Sequence, residues 1–482
     1  MAEVVIVGGG IGGLATALML GRDGREVVVC ERDHAPVPPA TEEMWARWRR
    51  PGIPQAPLGH TFLPGFRALV AARAPDVLQR LLAAGAPLVD YAKDMPGDER
   101  RPEDAELHAI MCRRAVLEGI LRQTVQAERT VELRCGCDVV GLIAEPSAMA
   151  GVPNVVGVQT RNEGSIEARA VVLAGGRLAP VQRWLESIGS RPADERSEGC
   201  GFVCFTRFFR IRLRPGEDHR VSTQLTVEKD AGYMKYEICG ADQSTFCIEL
   251  APPAWDHELR SLRHEAVHMA VSRTLPESLD WLDVERAAPI GPVAAMGQER
   301  NVLRQFVIDG RPIALNLHVI GDARCQTNSH YAWGSGNALA GAAALTDILT
   351  EHPGDPEAQA LAFEARLGAE LAGRHGLSVA RDRACQRAYR GEAKWDDPSQ
   401  GHGLIETTVT ARAADDPDIF RAVMRREMQL DPVAVLDADT PLLEHARALT
   451  TASDRAPEAT YQLTRGALLA VIATTGPHRG SA

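Results

Sequence analysis

Residues 3–33 read EVVIVGGGIGGLATALMLGRDGREVVVCERD, and the fold follows from this stretch. Val4 to Val7 form a short apolar run of the kind that builds a buried parallel strand. Gly8, Gly10 and Gly13 follow at G-x-G-x-x-G spacing, with Gly12 inside the same turn, and Leu14 to Leu20 read as a helix. The run VVVCE is a second strand that ends at Glu31, with Arg32 next to it. Each part has a physical role. One glycine makes a tight turn, the next lets the backbone approach a pyrophosphate, and the third lets helix and strand pack closely. The helix N-terminus then faces the phosphates. An acidic side chain at the end of the second strand accepts hydrogen bonds from ribose hydroxyls. Because the full strand–turn–helix–strand context is present, a bound dinucleotide is expected.

The bulk composition narrows the class. At 482 residues the chain has room for two or three domains with large cores. Its 53 basic and 64 acidic residues give a net charge of −11 without a basic block, which argues against nucleic acid or an anionic membrane as partner. No apolar stretch reaches membrane-spanning length, and GALLAVIA near the C-terminus reads as a helix face. The first strand begins at residue 3, leaving no room for a signal peptide, so a cytoplasmic location is expected. Ten cysteines are scattered, and the close pair Cys135 and Cys137 lacks C-x-x-C metal spacing. Buried reduced thiols and no metal site are the expectation.

Along the chain, residues 42–105 are irregular and contain one expected helix, PGFRALVAARAPDVLQRLLAAGA. MCRRAVLEGILRQTVQ (111–126) is a second helix, and VELRCG, DVVGLIAE, VVGVQTR and ARAVVLAGG carry strand signals. Between about 200 and 251, CGFVCFTRFFRIRL, VSTQLTVE, GYMKYEIC and STFCIELA alternate with turn clusters and predict an antiparallel meander. RPIALNLHVIGDA (311–323) returns to the strand-to-glycine pattern, and Asn337 to Thr350 is an alanine-rich helix. The fold class is therefore α/β (α+β overall), with a Rossmann-like nucleotide-binding domain, an inserted antiparallel sheet and a C-terminal helical region. The expected boundaries are 1–85, 106–186 and 296–350 for the discontinuous nucleotide-binding domain. Residues 86–105 and 187–295 form the substrate-binding sheet domain, and 351–482 the helical region.

A second informative element is Gly321-Asp322-Ala323 at the end of a predicted strand, followed by WGSGNALAGAAAL. An aspartate there can accept hydrogen bonds from the ribityl hydroxyls of a flavin. Gly334, Ser335 and Gly336 would let a helix N-terminus approach the pyrimidine edge of the ring, where reduced flavin is negative. With the N-terminal glycine turn, this resembles the FAD-dependent monooxygenases of the p-hydroxybenzoate hydroxylase superfamily over roughly residues 1–350. The wider group includes flavin-dependent epoxidases and halogenases. The resemblance implies FAD as cofactor and a contact from the Arg-x-x-Leu arginine, matched by Arg114 with Leu117, with Arg113 an adjacent competitor. It also implies a flavin contact from Arg49 or Arg50 just before GIPQ.

Several positions depart from the family pattern. Where hydroxylases carry a His and a Pro after G-D-A, this chain has Cys325 and Ser329, and Cys325 is a conceivable covalent link to flavin. The middle motif D-G-x-x-S-x-V-R reads GGRLAPVQR, with Gly175 and Ala179 at its Asp and Ser. In hydroxylases that motif supports FAD and transient NAD(P)H contact, so NAD(P)H and a separate flavin reductase both stand as electron donor. WARW (45–48) is not followed by Ile-Pro, so the halogenase W-x-W-x-I-P element is missing.

The resemblance implies chemistry through a flavin C4a-hydroperoxide, with no catalytic side chain assigned beyond the flavin itself. The expected reaction is hydroxylation or epoxidation of a hydrophobic small molecule (an aromatic, polyketide or alkene) with dioxygen, in secondary metabolism. Pocket candidates are His330, Tyr331 and Trp333 in the loop that would face the flavin, and Phe208 in the inserted sheet. Strand alternation separates Phe202, Cys204, Thr206 and Phe208 from Val203, Phe205, Arg207 and Phe209, without deciding which set faces the pocket. Arg207 could pair with a phenolate or carboxylate of a substrate, but it reads first as solvent-facing. The alternatives are an oxygen-independent reductase or dehydrogenase of the geranylgeranyl reductase kind, and a flavin-binding scaffold without turnover. Monomer and homodimer both remain open.

Overall fold

The structure, a computed structural model, describes residues 2–97, 99–278, 281–283, 285–392, 409–450 and 463–476. The strand Ala2–Val7 lies at the centre of a seven-stranded sheet, between Val27–Glu31 and Ser165–Leu173. Its partners are parallel, with Ile6 opposite both Val29 and Val172. Buried on both faces, such strands need continuous apolar runs rather than alternation. Val131–Cys135 extends the sheet on one side, while Leu317–Val319 pairs with the C-terminal half of Ser165–Leu173. The other half of that long strand joins an antiparallel ribbon with Pro153–Thr160 and Val139–Pro146. One apolar core fills each face of the sheet, and the helix Ile11–Arg22 belongs to the first, beside Trp333–Glu351.

The expected single helix over 64–86 is broken in two, Pro64–Arg73 and Pro75–Ala83. Pro75 lacks the N–H that would continue the helix, and Ala74 before it leaves the helical region at φ −148°, ψ 61°.

The inserted sheet has the order Val227–Asp230, Lys235–Ala241, Thr245–Ala251, Cys204–Ile211, Ala287–Pro289. Of the stretch VSTQLTVE only Val227 and Glu228 are strand, because His219–Leu225 is a 3₁₀ turn. The helix Glu265–Ser272 and the C-terminal helix Arg465–Thr475 cover one face of this sheet, with Leu468 fully buried there. A three-stranded sheet of Asp194–Gly199, Arg300–Gln305 and Cys325–Gln326 connects the two regions. The 34-residue helix Pro356–Tyr389 packs beside Trp333–Glu351 and these connecting strands. Among the described residues, no helix is long and apolar enough to cross a membrane.

Candidate active site

A cavity of about 580 Å³ runs from the glycine turn to the inserted sheet, within the roughly 300–1,000 Å³ typical of ligand sites. At one end Ala2–Val7 stops at Gly8, whose φ of +108° suits glycine. A Cβ on Gly8 would lie 2.6 Å from Ala174 O, and one on Gly13 would lie 1.9 Å from Gly8 O. Gly8 and Gly13 therefore bring strand, turn and helix together. Gly10 acts differently, since a Cβ there would meet only Ile53 Cδ1 at 3.7 Å. Gly10 caps the 12-residue helix with no side chain over its free N–H groups, and lines the cavity with Gly8, Gly9 and Gly12. Gly12 also keeps the helix close to Ala338, 3.3 Å from its would-be Cβ.

Glu31 lines the same end and is buried. Its Oε2 accepts from Gly9 N–H at 2.9 Å and from Arg50 Nη2 at 2.8 Å, while Oε1 accepts from Asp33 N–H at 2.8 Å. A carboxylate offers about four acceptor sites, so one remains open to a ribose hydroxyl. Arg50 is enclosed by Glu31, Asp33 and Glu118 and does not line the main cavity, while Arg49 reaches only a separate groove beside Trp45 and Trp48. Arg32 is exposed at the cavity rim and donates to Gly52 O.

Geometry separates the two adjacent arginines. Arg113 is fully buried and gripped by Asp242, with Nη2 to Oδ2 at 2.6 Å, so it ties the helix Arg114–Ala127 to the inserted sheet. Arg114 lines the cavity, donating to Glu118 at 3.2 Å and lying 3.2 Å from His60 Nε2. Burial and Arg114 hold His60 down to about 3. The imidazole is thus neutral, Nδ1–H donating to Leu58 O at 3.0 Å and Nε2 accepting from Arg114.

Midway along the cavity, Gly321 turns at φ +59° and presents Asp322. Burial raises the Asp322 carboxyl above its usual range, with Arg114 and Arg177 pulling the other way. No hydrogen bond among the described residues reaches this carboxylate. It faces the start of the 19-residue helix Trp333–Glu351, its Oδ1 3.5 Å from the would-be Cβ of Gly334. Gly334 and Ser335 line the cavity. Gly336 does not: the space of its missing side chain holds Gln429, 2.0 Å from a Cβ. The segment 174–180, covering most of GGRLAPVQR, forms the opposite wall.

The far end departs from expectation. Phe208 is packed against Trp45 at 4.6 Å, in a cluster with Met111 and Cys247, away from the cavity. Trp333 is buried, donating to Glu427 O at 3.0 Å, and Tyr331 stacks on it at 5.0 Å and donates to Asp382. Both rings are taken up by packing with the C-terminal helices, a partner that local sequence gives no sign of. His330 pairs with Glu228 at 2.9 Å and also stays off the cavity surface. Arg207 is not solvent-facing: it is buried, and bonds Glu265 at 2.6 Å and Gly291 O. Cys325 is buried in the first core with Sγ toward Leu371 O, so it does not reach the cavity as a flavin attachment point.

The walls at this end carry Glu237 and Glu249 from adjacent strands, Glu299 and Ser329. Glu249 accepts from Thr206 at 2.7 Å and Glu299 from Ser329 at 2.8 Å. Burial pushes Glu299 up to about 7, and burial with Cys239 and Glu249 raises Glu237 well above the carboxylate range. Sequence reasoning missed these groups. Their signal was a carboxylate set beside apolar residues in the strands KYEIC and STFCIELA, where burial costs energy unless something compensates.

Residues 3–95 match the family profile described as FAD dependent oxidoreductase. No curated protein matches the sequence. Among solved structures, PqsL, a probable FAD-dependent monooxygenase from Pseudomonas aeruginosa, is 18% identical with a TM-score of 0.56, covering 81% of this chain and 99% of that one. The anhydrotetracycline hydroxylase OxyS from Streptomyces rimosus is 16% identical, TM-score 0.54, covering 89% and 76%. The myxobacterial chondrochloren halogenase CndH is 16% identical, TM-score 0.58, covering 89% and 98%. At these identities the likeness is one of fold: a Rossmann-type FAD-binding flavoenzyme fold with a substrate domain.

Proposed function

We propose that this chain, an FAD-dependent oxidoreductase in fold, is a monooxygenase that hydroxylates or epoxidises a small organic molecule. The observation that carries the reading is one continuous cavity joining the glycine turn, the Asp322 carboxylate and the inserted sheet. The residues fit FAD. The cradle at Gly8, Gly9 and Gly10 leaves backbone N–H groups and a helix N-terminus for the pyrophosphate. Glu31 keeps an acceptor site for the ribose, and Asp322, with no hydrogen-bond partner among the described residues, is an acceptor for ribityl hydroxyls. The discontinuous division at 1–85, 106–186 and 296–350, with the sheet of 86–105 and 187–295, belongs to this reading.

When bound, FAD supplies electron transfer and the activation of dioxygen. The protein supplies the rest. The N-terminus of Trp333–Glu351, which reaches the cavity at Gly334 and Ser335, would favour negative charge on a bound reduced flavin. Arg114 adds a cation to the cavity wall and keeps His60 neutral as an acceptor. Glu299 is placed to hold a proton at the substrate end. The oxygen-independent reductase is the second reading, and the monooxygenase and hydroxylase among the fold neighbours favour the oxygenase. Electrons come from NAD(P)H directly or through a separate flavin reductase, since Gly175 replaces the acid of the middle motif.

The test is reconstitution with FAD, anaerobic titration with NADH and NADPH, then admission of air. Bleaching by a nucleotide, followed by fast reoxidation, supports a self-sufficient monooxygenase. Bleaching only with dithionite, again with fast reoxidation, supports a reductase partner. Reduced flavin that persists in air overturns the oxygenase reading.

A further inference from the structure

The register of the inserted sheet places Glu228 opposite Glu237 and Glu237 opposite Glu249. Glu249 is in turn opposite Thr206, so four neighbouring strands carry an acidic row that ends in a hydroxyl. Directly opposed like charges destabilise a sheet, and an uncompensated buried carboxylate is costlier still. Glu228 accepts a hydrogen bond from His330 Nε2 at 2.9 Å. Glu237 and Glu249 pair with no Lys or Arg among the described residues, yet both line the cavity.

An independent feature sits in the same place. The His330 side chain is only 5% exposed, and Nδ1 is buried with no hydrogen-bond partner. A ring nitrogen, one oxygen of Glu237 and one of Glu249 all lie within 4.8 Å of one another. Two carboxylates of the chamber wall thus lie within 4.8 Å of an imidazole that is itself off the cavity surface, at the sheet end of the chamber.

We propose that this acidic end is a cation-recognition site and that the substrate carries a basic, protonated nitrogen, anchored between Glu237 and Glu249. This rests on the monooxygenase reading of the same cavity. The cross-strand arrangement suits an ammonium group, which is a strong multiple donor and needs only acceptors around it. An organic occupant also accounts for Glu237 and Glu249 lining a chamber that continues to the expected flavin position, where a bare metal ion would leave the chamber unfilled. Burial raises Glu237, with Cys239, Glu249 and Glu228 adding to it. An arriving cation reverses that balance, because an opposite charge favours the ionised form.

The test uses FAD-loaded protein and paired probes of one shape: benzylamine, benzyl alcohol and benzoate, and the phenethyl set with phenethylamine. Binding is read by calorimetry and by the change in the bound flavin spectrum. The amine is expected to bind at least tenfold tighter than its alcohol, and the carboxylate weakest. Glu237→Gln with Glu249→Gln is expected to abolish the preference while FAD content and melting temperature are kept. Should that double variant fail to fold, Glu249→Gln alone is expected to cut the preference several-fold. Equal binding of amine and alcohol, or no binding of any amine, overturns the proposal. So does Mn²⁺ binding at micromolar concentration that the variants lose, which would mark a metal site. Failure of the protein to take up FAD defeats the monooxygenase reading instead, and is seen before any probe is added.

Discussion

Gly9 donates its backbone N–H to Glu31 Oε2 at 2.9 Å, so the glycine turn and the end of the second strand are one unit. Glu31→Ala removes the acceptor for two backbone N–H groups and one of the carboxylates around Arg50. We expect FAD affinity to fall at least tenfold and stability by about 2 kcal/mol. Flavin fluorescence titration and thermal melting check the two effects separately. Undiminished FAD affinity would remove Glu31 from the cofactor site.

The glycines should divide into two kinds. Gly13→Ala places a Cβ 1.9 Å from a backbone oxygen and should destabilise the apoprotein by about 3 kcal/mol. Gly10→Ala meets nothing closer than 3.7 Å, so apo stability should change by less than about 1 kcal/mol while FAD binding weakens. Equal melting temperatures for the two variants would contradict this division.

Asp322→Asn should separate stability from binding in opposite directions. Burial raises this carboxyl, so the folded state holds its proton more tightly than the unfolded state does. Stability from this group is present at acid pH and is lost as pH rises through the folded value. At neutral pH the asparagine apoprotein should therefore be at least as stable as the native one, while FAD affinity falls tenfold or more. Chemical denaturation with and without FAD gives both numbers.

Neighbouring arginines should behave unlike each other. Arg113→Ala strands the buried Asp242 carboxylate and should cost about 3–5 kcal/mol. Arg114→Ala removes a partly exposed side chain, with little change in melting temperature and a several-fold loss of FAD affinity. A reversed pattern would exchange their roles.

Glu299 should give the apoprotein a pH-dependent stability. It is faced by Ser329, Arg177, Glu249 and Asp322, and its carboxyl lies at about 7, above the ordinary 4.5. Its contribution is therefore complete at low pH and lost as pH rises from about 5 to 8, by at most about 3 kcal/mol. Glu299→Gln should flatten that part of the melting profile. An unchanged slope would mean that Glu299 ionises normally.

Local sequence carried much of the molecule. The apolar run of Val4–Val7, the glycines at 8, 10 and 13, and Glu31 define a turn whose parts touch within thirty residues, so spacing alone predicts their geometry. Asp322 was legible for the same reason, since it directly follows a buried strand. The far end of the cavity was not. Whether Phe208, Tyr331 or Trp333 faces a cavity depends on Trp45, Asp382 and Glu427, each more than fifty residues away. The acidic row exists only through a register that brings together residues 228, 237 and 249. Sequence by itself determined the nucleotide-binding half, because its contacts are short-range and sterically strict. Tertiary structure alone decided which side chains line the chamber, because burial is set by distant partners that no local pattern encodes.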